Sequence, residues 1–226
     1  CKSNKNWNMS IFVEYISEKI KVKVKDSKVL LLISGGVDSS VVAGLLLKAL
    51  DAKDLFLMYI DTGLMRKNET LEIKSYLQSL DASNIKIVDA SEIFFNSLEG
   101  VSDPEEKREI IGDLFIKIQE TELPEEISDN YFLAQGTLYT DLIESGKGVG
   151  SNANIIKSHH NVRSPLVEKK RAEGLVIEPL DKLFKDEVRS LGIKLGIDNR
   201  IIERHPFPGP GLAIRIIGDI TKEKVR

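Results

Sequence analysis

The residues with the clearest capacity for chemistry form one uninterrupted run between two apolar segments. The first segment, Val29–Ile33, predicts a buried strand, and apolar residues recur at helical spacing from Val37 to Ala49. The run is therefore a strand-to-helix turn, where glycines permit close approach and backbone N–H groups and the helix dipole point at one spot. With its hydroxyls and one carboxylate, the turn predicts a site for a nucleotide phosphate or pyrophosphate. The run consists of Ser34, Gly35, Gly36, Val37, Asp38, Ser39 and Ser40.

Two other interpretations of this run fit it less well. It could be a plain connection in which Ser34 or Asp38 caps the helix, but its length and its register between a strand and a helix favour the phosphate site. The glycines lack the Gly-Lys-Ser/Thr ending of a Walker loop and do not follow the Gly-x-Gly-x-x-Gly pattern. Neither a Walker ATPase nor a Rossmann dehydrogenase is therefore indicated.

The composition limits the class of protein. The chain has 226 residues, of which 42% are apolar, so it can form one large domain with a proper core. Its formal net charge of -3 provides no general basic field, and we expect neither nucleic acid nor a membrane as a partner. The sequence contains one cysteine, no apolar stretch of membrane-spanning length and no signal-peptide pattern. These features predict a soluble, cytoplasmic protein.

Strand-like and helix-like segments alternate along the chain, which is typical of parallel βαβ units. Helices are predicted near 68–80, from Asp103 and Pro104 onward, and from Asp181 to about Gly196. We therefore expect an α/β fold with a doubly wound, mostly parallel sheet and helices on both faces. After the first strand, the predicted strands cover residues 54–60, 85–88, 131–134 and 175–177.

In such sheets, ligands bind beyond the carboxyl ends of the strands. Residues 61–66 follow the second strand and residues 135–137 follow the fourth, with Asp141 and Glu144 shortly afterwards. Since Asp141 and Glu144 are three residues apart, a helix would present both carboxylates on one face, where they could hold Mg²⁺ together with Asp38. A pair of solvated carboxylates is the alternative, and the sequence leaves it open.

Two further loops contain unusual residues. Gly146–Asn154 is rich in Gly, Ser and Asn and leads into Ile155–Asn161, which suits either a lid over a phosphorylated substrate or a plain surface loop. Neighbouring His159 and His160 point to different sides in an extended chain, and no cysteine is near, so zinc is not indicated. Arg204–Leu212 alternates Pro and Gly and is either a stiff connector or a plug that closes a nucleotide site.

Together, these segments carry a family resemblance that extends from about Trp7 to Ile217. Ser34–Ser40 resembles the PP-loop of the N-type ATP pyrophosphatases, which have an adenine nucleotide alpha hydrolase-like fold. That loop is shared with NAD synthetase, asparagine synthetase and tRNA-thiolating enzymes. His159-His160-Asn161 and Pro206–Leu212 narrow the resemblance to the synthetase domain of the GMP synthetase family. Further supporting segments are 61–67, 104–108, 134–145, 178–180 and 185–189.

The resemblance implies a ligase that converts xanthosine 5′-monophosphate (XMP) to GMP, with ATP as co-substrate and Mg²⁺ as cofactor. XMP would be adenylylated with release of pyrophosphate, and ammonia from glutamine would then displace AMP. The alternatives are another PP-loop amidating ligase, such as NAD synthetase, and a module that binds ATP without turnover.

The resemblance also implies roles for individual residues. The PP-loop would hold the pyrophosphate, the backbone near Ile60 and Gly136 would contact adenine, and Asp38, Asp141 and Glu144 would bind Mg²⁺. Catalytic roles would fall to Asp38, Asp141, Glu144 and the lid residues Lys157, His159 and His160. The expected contacts to XMP are Arg66, Asn161, Arg204 and His205.

The same resemblance implies a division of the chain and a set of partners. We expect residues 1–24 to be a linker remnant with the first helix, residues 25–217 to be the ATP pyrophosphatase domain, and residues 218–226 to start a C-terminal dimerisation domain. A glutaminase domain, on the same or a separate chain, would supply ammonia, since no Cys-His-Glu glutaminase set is found here. A homodimer is expected for the full-length protein.

Overall fold

One parallel sheet of five strands organises the chain in the computed structural model, which describes residues 8–127, 130–144, 165–207 and 209–225. Within these ranges the spatial order is third, second, first, fourth, fifth, and every neighbouring pair is parallel. The predicted doubly wound α/β fold is confirmed. The strands are β1 (Lys28–Leu32), β2 (Leu55–Asp61), β3 (Asn84–Asp89), β4 (Tyr131–Ala134) and β5 (Val176–Ile177).

Helices cover both faces of the sheet. The longer ones alternate with the strands, as the sequence predicts, and short 3₁₀ turns occur at 52–54, 125–127 and 211–214. The α-helices are α1 (Met9–Val24), α2 (Val37–Ala49), α3 (Glu69–Ser79), α4 (Ser91–Ser97), α5 (Pro104–Thr121), α6 (Tyr139–Glu144), α7 (Pro165–Ala172), α8 (Lys185–Lys194), α9 (Asn199–Ile202) and α10 (Lys222–Val225).

Alternation along the central strands divides the core into two layers. Val29 and Leu31 of β1 pack with α1, α2 and α8, whereas Leu30 between them packs with α4 and α5. All seven residues of β2 are buried. A parallel strand covered on both faces needs apolar residues at consecutive positions, which is why these strands have uninterrupted apolar sequences.

The helix ends agree with the sequence at one place and differ at another. Asp103 caps α5, since its carboxylate accepts hydrogen bonds from the N–H groups of Glu105 and Glu106 at 2.9 Å. The prediction that Asp181 opens a helix is wrong, because α8 begins at Lys185. The preceding residues instead form turns that bury Leu180 and Leu183 in the core.

Among the helices that the structure describes, none combines the length and the apolar character that crossing a bilayer requires.

A buried lysine fastens the segment after the 3₁₀ turn at 211–214 to α5. The residue Lys107 is only 1% exposed. Its ammonium group donates to the carbonyl oxygens of Ala213, Ile216 and Gly218 at 3.2, 3.0 and 2.6 Å. Burial lowers the pKa of this amine, and the three carbonyl acceptors compensate for the loss of water.

We expect Lys107→Met to lower the free energy of unfolding by about 2–3 kcal/mol, because the carbonyl groups lose their donor while they stay largely buried. Urea unfolding measures the change. Lys117→Met, on an exposed position of the same helix, is the matched control and should change it by less than about 0.5 kcal/mol. Equal effects of the two substitutions would contradict this role of Lys107.

Candidate functional site

The turn between β1 and α2 depends on a left-handed glycine. Gly35 has φ +79°, and a Cβ atom at this position would lie 2.2 Å from Cδ1 of Ile73 in α3. A side chain at Gly35 is therefore excluded both by backbone conformation and by space. Gly36 follows in an extended conformation and is the N-cap of α2.

Hydroxyl groups inside the turn hold its shape. Ser39 and Ser40 donate from Oγ to the carbonyl oxygen of Gly36 at 3.1 and 3.0 Å, and Ser34 Oγ lies 3.2 Å from Ser39 Oγ. The N–H groups in the first turn of a helix have no acceptor within that helix. Those at the start of α2 are therefore available to an anion, and the dipole of α2 adds to its attraction.

A lysine that the sequence analysis did not assign to the site lies against this turn. Lys185, the first residue of α8, donates from Nζ to both carboxylate oxygens of Asp38 at 2.7 Å. The two side chains are 36% and 30% exposed, so the pair is open to a ligand and its stabilising effect on the fold is below about 1 kcal/mol. In the sequence, Lys185 belongs to the 185–189 segment, which supports only the family resemblance.

The loop after β4 completes the other wall of the site. A Cβ atom on Gly136 would lie 3.1 Å from Cβ of Asp38, so the loop packs closely on the start of α2. Next to it, Thr137 donates from Oγ1 to Glu178 at 2.7 Å, and Arg171 donates to the same carboxylate oxygen at 2.7 Å. The structure therefore brings Gly136 and the turn together, as the sequence predicts.

The predicted carboxylates have different surroundings. Asp141 accepts a hydrogen bond from the N–H of Leu138 at 2.8 Å and so helps to start α6. Glu144 is the last residue of α6, and its side chain lies outside the described residues. Within the described part of the chain, no group of three or more His, Cys, Asp or Glu side chains could hold a metal ion. The predicted magnesium site therefore remains a prediction.

Two arginines expected to contact substrate are engaged with the protein. Buried Glu69 accepts from Nε of Arg66 at 3.2 Å and from Nη1 of Arg204 at 3.3 Å. Arg204 also donates from Nη1 to the carbonyl oxygen of Gly35 at 3.0 Å, and Arg66 donates to the carbonyl oxygen of His205 at 2.9 Å. These contacts attach the segment after α9 to the turn. Contact of the two arginines with substrate stays a prediction.

The Pro-Gly segment is anchored at a second point. Gly211 has φ +66°, and a Cβ atom there would lie 2.4 Å from the carbonyl oxygen of Leu64, which accepts the N–H of Leu212 at 2.7 Å. The loop after β2 is itself held by Asp61, whose carboxylate accepts from the N–H of Gly63 at 3.0 Å and from Thr70 at 3.2 Å. Residues 204–207 and 209–212 thus form a wall next to the site, attached at Arg204, His205 and Leu212.

Tyr59 supports the loop after β2 through Thr70, and its hydroxyl does not ionise near neutral pH. Its hydroxyl lies 3.1 Å from Oγ1 of Thr70, and burial raises the pKa of Tyr59 to about 12. The tyrosine therefore stays neutral and extends the hydrogen-bond chain from Asp61 through Thr70.

The remaining predicted residues divide into two groups. Ile60 lies in β2 beside the site, with its side chain buried between the sheet and α5. The predicted lid residues lie outside the described residues; they are Lys157, His159, His160 and Asn161.

Comparison with solved structures identifies the same fold. An NH₃-dependent NAD synthetase from Campylobacter jejuni aligns with a TM-score of 0.62 over 89% of this chain and 80% of that one, at 17% sequence identity. An NAD⁺ synthetase from Burkholderia pseudomallei aligns with a TM-score of 0.59 over 98% of this chain and 81% of that one, at 15% identity. At such low identity, these alignments establish the fold alone.

Comparison of sequences finds relatives over the whole length of the chain. A family model for NAD synthase matches residues 9–112, which contain the turn. A GMP synthase (glutamine-hydrolyzing) of Mesoplasma florum is 50% identical over 99% of this chain, and a putative GMP synthase (glutamine-hydrolyzing) of Halalkalibacterium halodurans is 52% identical over 100%. The chain spans 42% of the length of each of these relatives. Over the part of these relatives that it spans, the chain is about half identical to proteins named GMP synthase.

Proposed function

We propose that this chain catalyses the ATP-dependent amination of XMP to GMP through an adenylyl-XMP intermediate, with release of AMP and pyrophosphate. The observation that carries the proposal is the turn at Ser34–Ser40, which combines unpaired helix-start amides with the Asp38–Lys185 pair at the topological switch point. Its presence in a chain about half identical to GMP synthases supports this acceptor.

The reaction has two steps. The oxygen on carbon 2 of the xanthine ring attacks the α-phosphorus of ATP, the neighbouring ring nitrogen loses its proton, and the bond from that phosphorus to the bridging oxygen breaks, so pyrophosphate leaves. Ammonia then attacks carbon 2 and loses a proton, and AMP departs with the oxygen that was attached to carbon 2. Adenylylation is needed because an amide-like oxygen is a poor leaving group, whereas a phosphate ester is a good one.

The chain's own groups stabilise the charge that the first step develops. As pyrophosphate leaves, negative charge builds up on the β-phosphate, and the amide groups at the start of α2 and the dipole of α2 are positioned to stabilise it. Lys185 lies beside the start of α2, and its ammonium group can donate its hydrogen bonds to a phosphate oxygen instead of Asp38. Since Gly35 and Gly36 have no side chains, phosphate oxygens can approach this backbone closely.

The predicted Mg²⁺ fits the type of donors present. Asp38 and Asp141 offer carboxylate oxygens, the ligands that this ion prefers, with Glu144 as a further predicted ligand. When bound, the ion would neutralise part of the phosphate charge. Lys185 donates to both oxygens of the Asp38 carboxylate and so orients it.

Partners and domains follow from the same proposal. The relatives are named as glutamine-hydrolyzing, and the chain spans 42% of their length, which supports a glutaminase domain outside these 226 residues. We infer that residues 25–217 form the ATP pyrophosphatase domain, and that ammonia reaches it from this glutaminase. A homodimer of the full-length protein is part of the proposal.

Exchange of labelled pyrophosphate into ATP tests the proposal, with ammonium as the nitrogen source for product formation. We expect exchange with XMP and none with nicotinic acid adenine dinucleotide, because the chain's relatives over its full length are GMP synthases. Exchange with the dinucleotide alone would favour an NAD synthetase, whose family model matches residues 9–112. ATP binding without exchange for either acceptor would indicate a non-catalytic module.

Removal of either charge of the Asp38–Lys185 pair is expected to lower XMP-dependent exchange at least about 100-fold, since each group acts where phosphate charge develops. The variants are Asp38→Asn and Lys185→Met, and urea unfolding should show little loss of stability because the pair is partly exposed. Near-normal exchange in either variant would overturn these assignments.

Matched controls remove the same charges elsewhere. Lys182→Met lies three residues before Lys185 on an exposed position, and Asp51→Asn lies on an exposed loop position before β2. Both should keep exchange within about twofold of the unsubstituted chain, as surface substitutions away from a site usually do.

A further inference from the structure

A carboxylate at the end of β5, two strands away from β1, holds the loop that forms one wall of the site. Glu178 directly follows β5, and its Oε1 accepts a hydrogen bond from the hydroxyl of Thr137 at 2.7 Å and another from Nη2 of Arg171 at 2.7 Å. Thr137 is 4% exposed, and the side chain of Glu178 is 18% exposed. One carboxylate oxygen therefore joins α7, the end of β5 and the loop after β4.

The cation that balances Glu178 is placed by an anchored helix. Lys170, the residue before Arg171 in α7, is 7% exposed and donates from Nζ to the carbonyl oxygen of Tyr131 at 3.1 Å. Its ammonium group also lies 3.8 Å from the centroid of the Tyr131 ring, so α7 is fastened to the start of β4. A partly buried carboxylate needs a counter-charge, because burial of an unpaired charge is costly. The Arg171–Glu178 pair therefore provides a charged acceptor at a defined position.

The hydroxyl of Thr137 is one of two attachments that enclose Gly136. On one side, Gln135 donates its N–H to the carbonyl oxygen of the last residue of β5 at 2.9 Å. On the other side, Glu178 holds the hydroxyl of Thr137. Between them, a Cβ atom on Gly136 would lie 3.1 Å from Cβ of Asp38, so the loop contacts the start of α2. The two attachments thus set how closely this loop approaches α2.

Only the second attachment depends on the type of side chain. The bond from Gln135 is a backbone contact that any residue except proline can make, whereas the other bond needs a hydroxyl at Thr137 and an acceptor at Glu178. Hydrogen bonds to charged groups are stronger than those between neutral groups. Without this bond, we expect Gly136 to lose its fixed distance from the start of α2.

We propose that Thr137 and Glu178 are positioning residues for ATP, since their hydrogen bond keeps the backbone at Gly136 in the place that the nucleotide requires. The inference rests on the proposed function, in which ATP contacts both the turn and this loop. The contacts expected for XMP lie elsewhere, after β2, after α9 and at Asn161. The effects on the two nucleotides should therefore differ.

XMP-dependent pyrophosphate exchange, with each nucleotide varied in turn, measures both effects. Thr137→Val keeps the branched shape and removes the donor. We expect it to raise the KM for ATP about 10-fold, the effect of one hydrogen bond to a charged group, and to leave the KM for XMP within about twofold. Thr137→Ser keeps the hydroxyl and should restore the KM for ATP. Thr121→Val makes the same change at an exposed position in the last turn of α5, and as the matched control it should alter neither constant.

Variants of Glu178 assign the effect to the hydrogen bond itself. Glu178→Gln keeps an acceptor and should leave the KM for ATP within about threefold, whereas Glu178→Ala should match Thr137→Val. The double variant Thr137→Val/Glu178→Ala should stay within about twofold of either single variant, because the same bond is lost in all three. Multiplied effects, about 100-fold together, would contradict a shared bond.

Calorimetric titration with ATP, without an acceptor, separates this inference from the proposed function. About 10-fold weaker ATP binding by Thr137→Val supports the positioning role, even where the unsubstituted chain shows no exchange with XMP, a result that would contradict the proposed function alone. Unchanged ATP affinity in Thr137→Val, or equal rises in the KM of both nucleotides, would overturn the positioning role. An unsubstituted chain that does not bind ATP would overturn both.

Discussion

The left-handed backbone of Gly35 is the constraint on which the site depends. At φ +79°, and with Ile73 too close for any Cβ atom, only glycine allows the chain to leave β1 and enter α2 at this angle. That entry directs the first amide groups of α2 and its dipole towards the carboxyl edge of the sheet. The other groups of the site surround these amide groups.

Three distant segments converge on the same turn, and each contributes a different type of contact. The loop after β4 packs on it through Gly136, α8 supplies the ammonium group of Lys185, and Arg204 holds the carbonyl oxygen of Gly35. The first contact is close packing, the second brings a positive charge, and the third is a hydrogen bond to the backbone of the turn. Such convergence is expected at a topological switch point, where β2 and β4 lie on opposite sides of β1.

Most of the fold could be predicted from local sequence patterns. β1, α2 and the turn between them were predictable because an apolar run, helical spacing and glycines are signals within a few residues. Lys185 was not assigned to the site because its pairing with Asp38 depends on how α8 packs, which no local pattern contains. The start of α8 was predicted too early, because burial of Leu183 overrides the capping signal of Asp181. The proposed substrate comes from the family resemblance and not from periodicity.

The proposed function requires the amide groups at the start of α2 to bind a polyphosphate. A ¹H–¹⁵N correlation spectrum of the chain titrated with pyrophosphate and Mg²⁺ tests this binding directly. We expect the largest saturable shifts at the amides of residues 35–40, with smaller ones at Lys185 and Gly136. Shifts that are absent from this turn, or that cluster in another part of the protein, would contradict it.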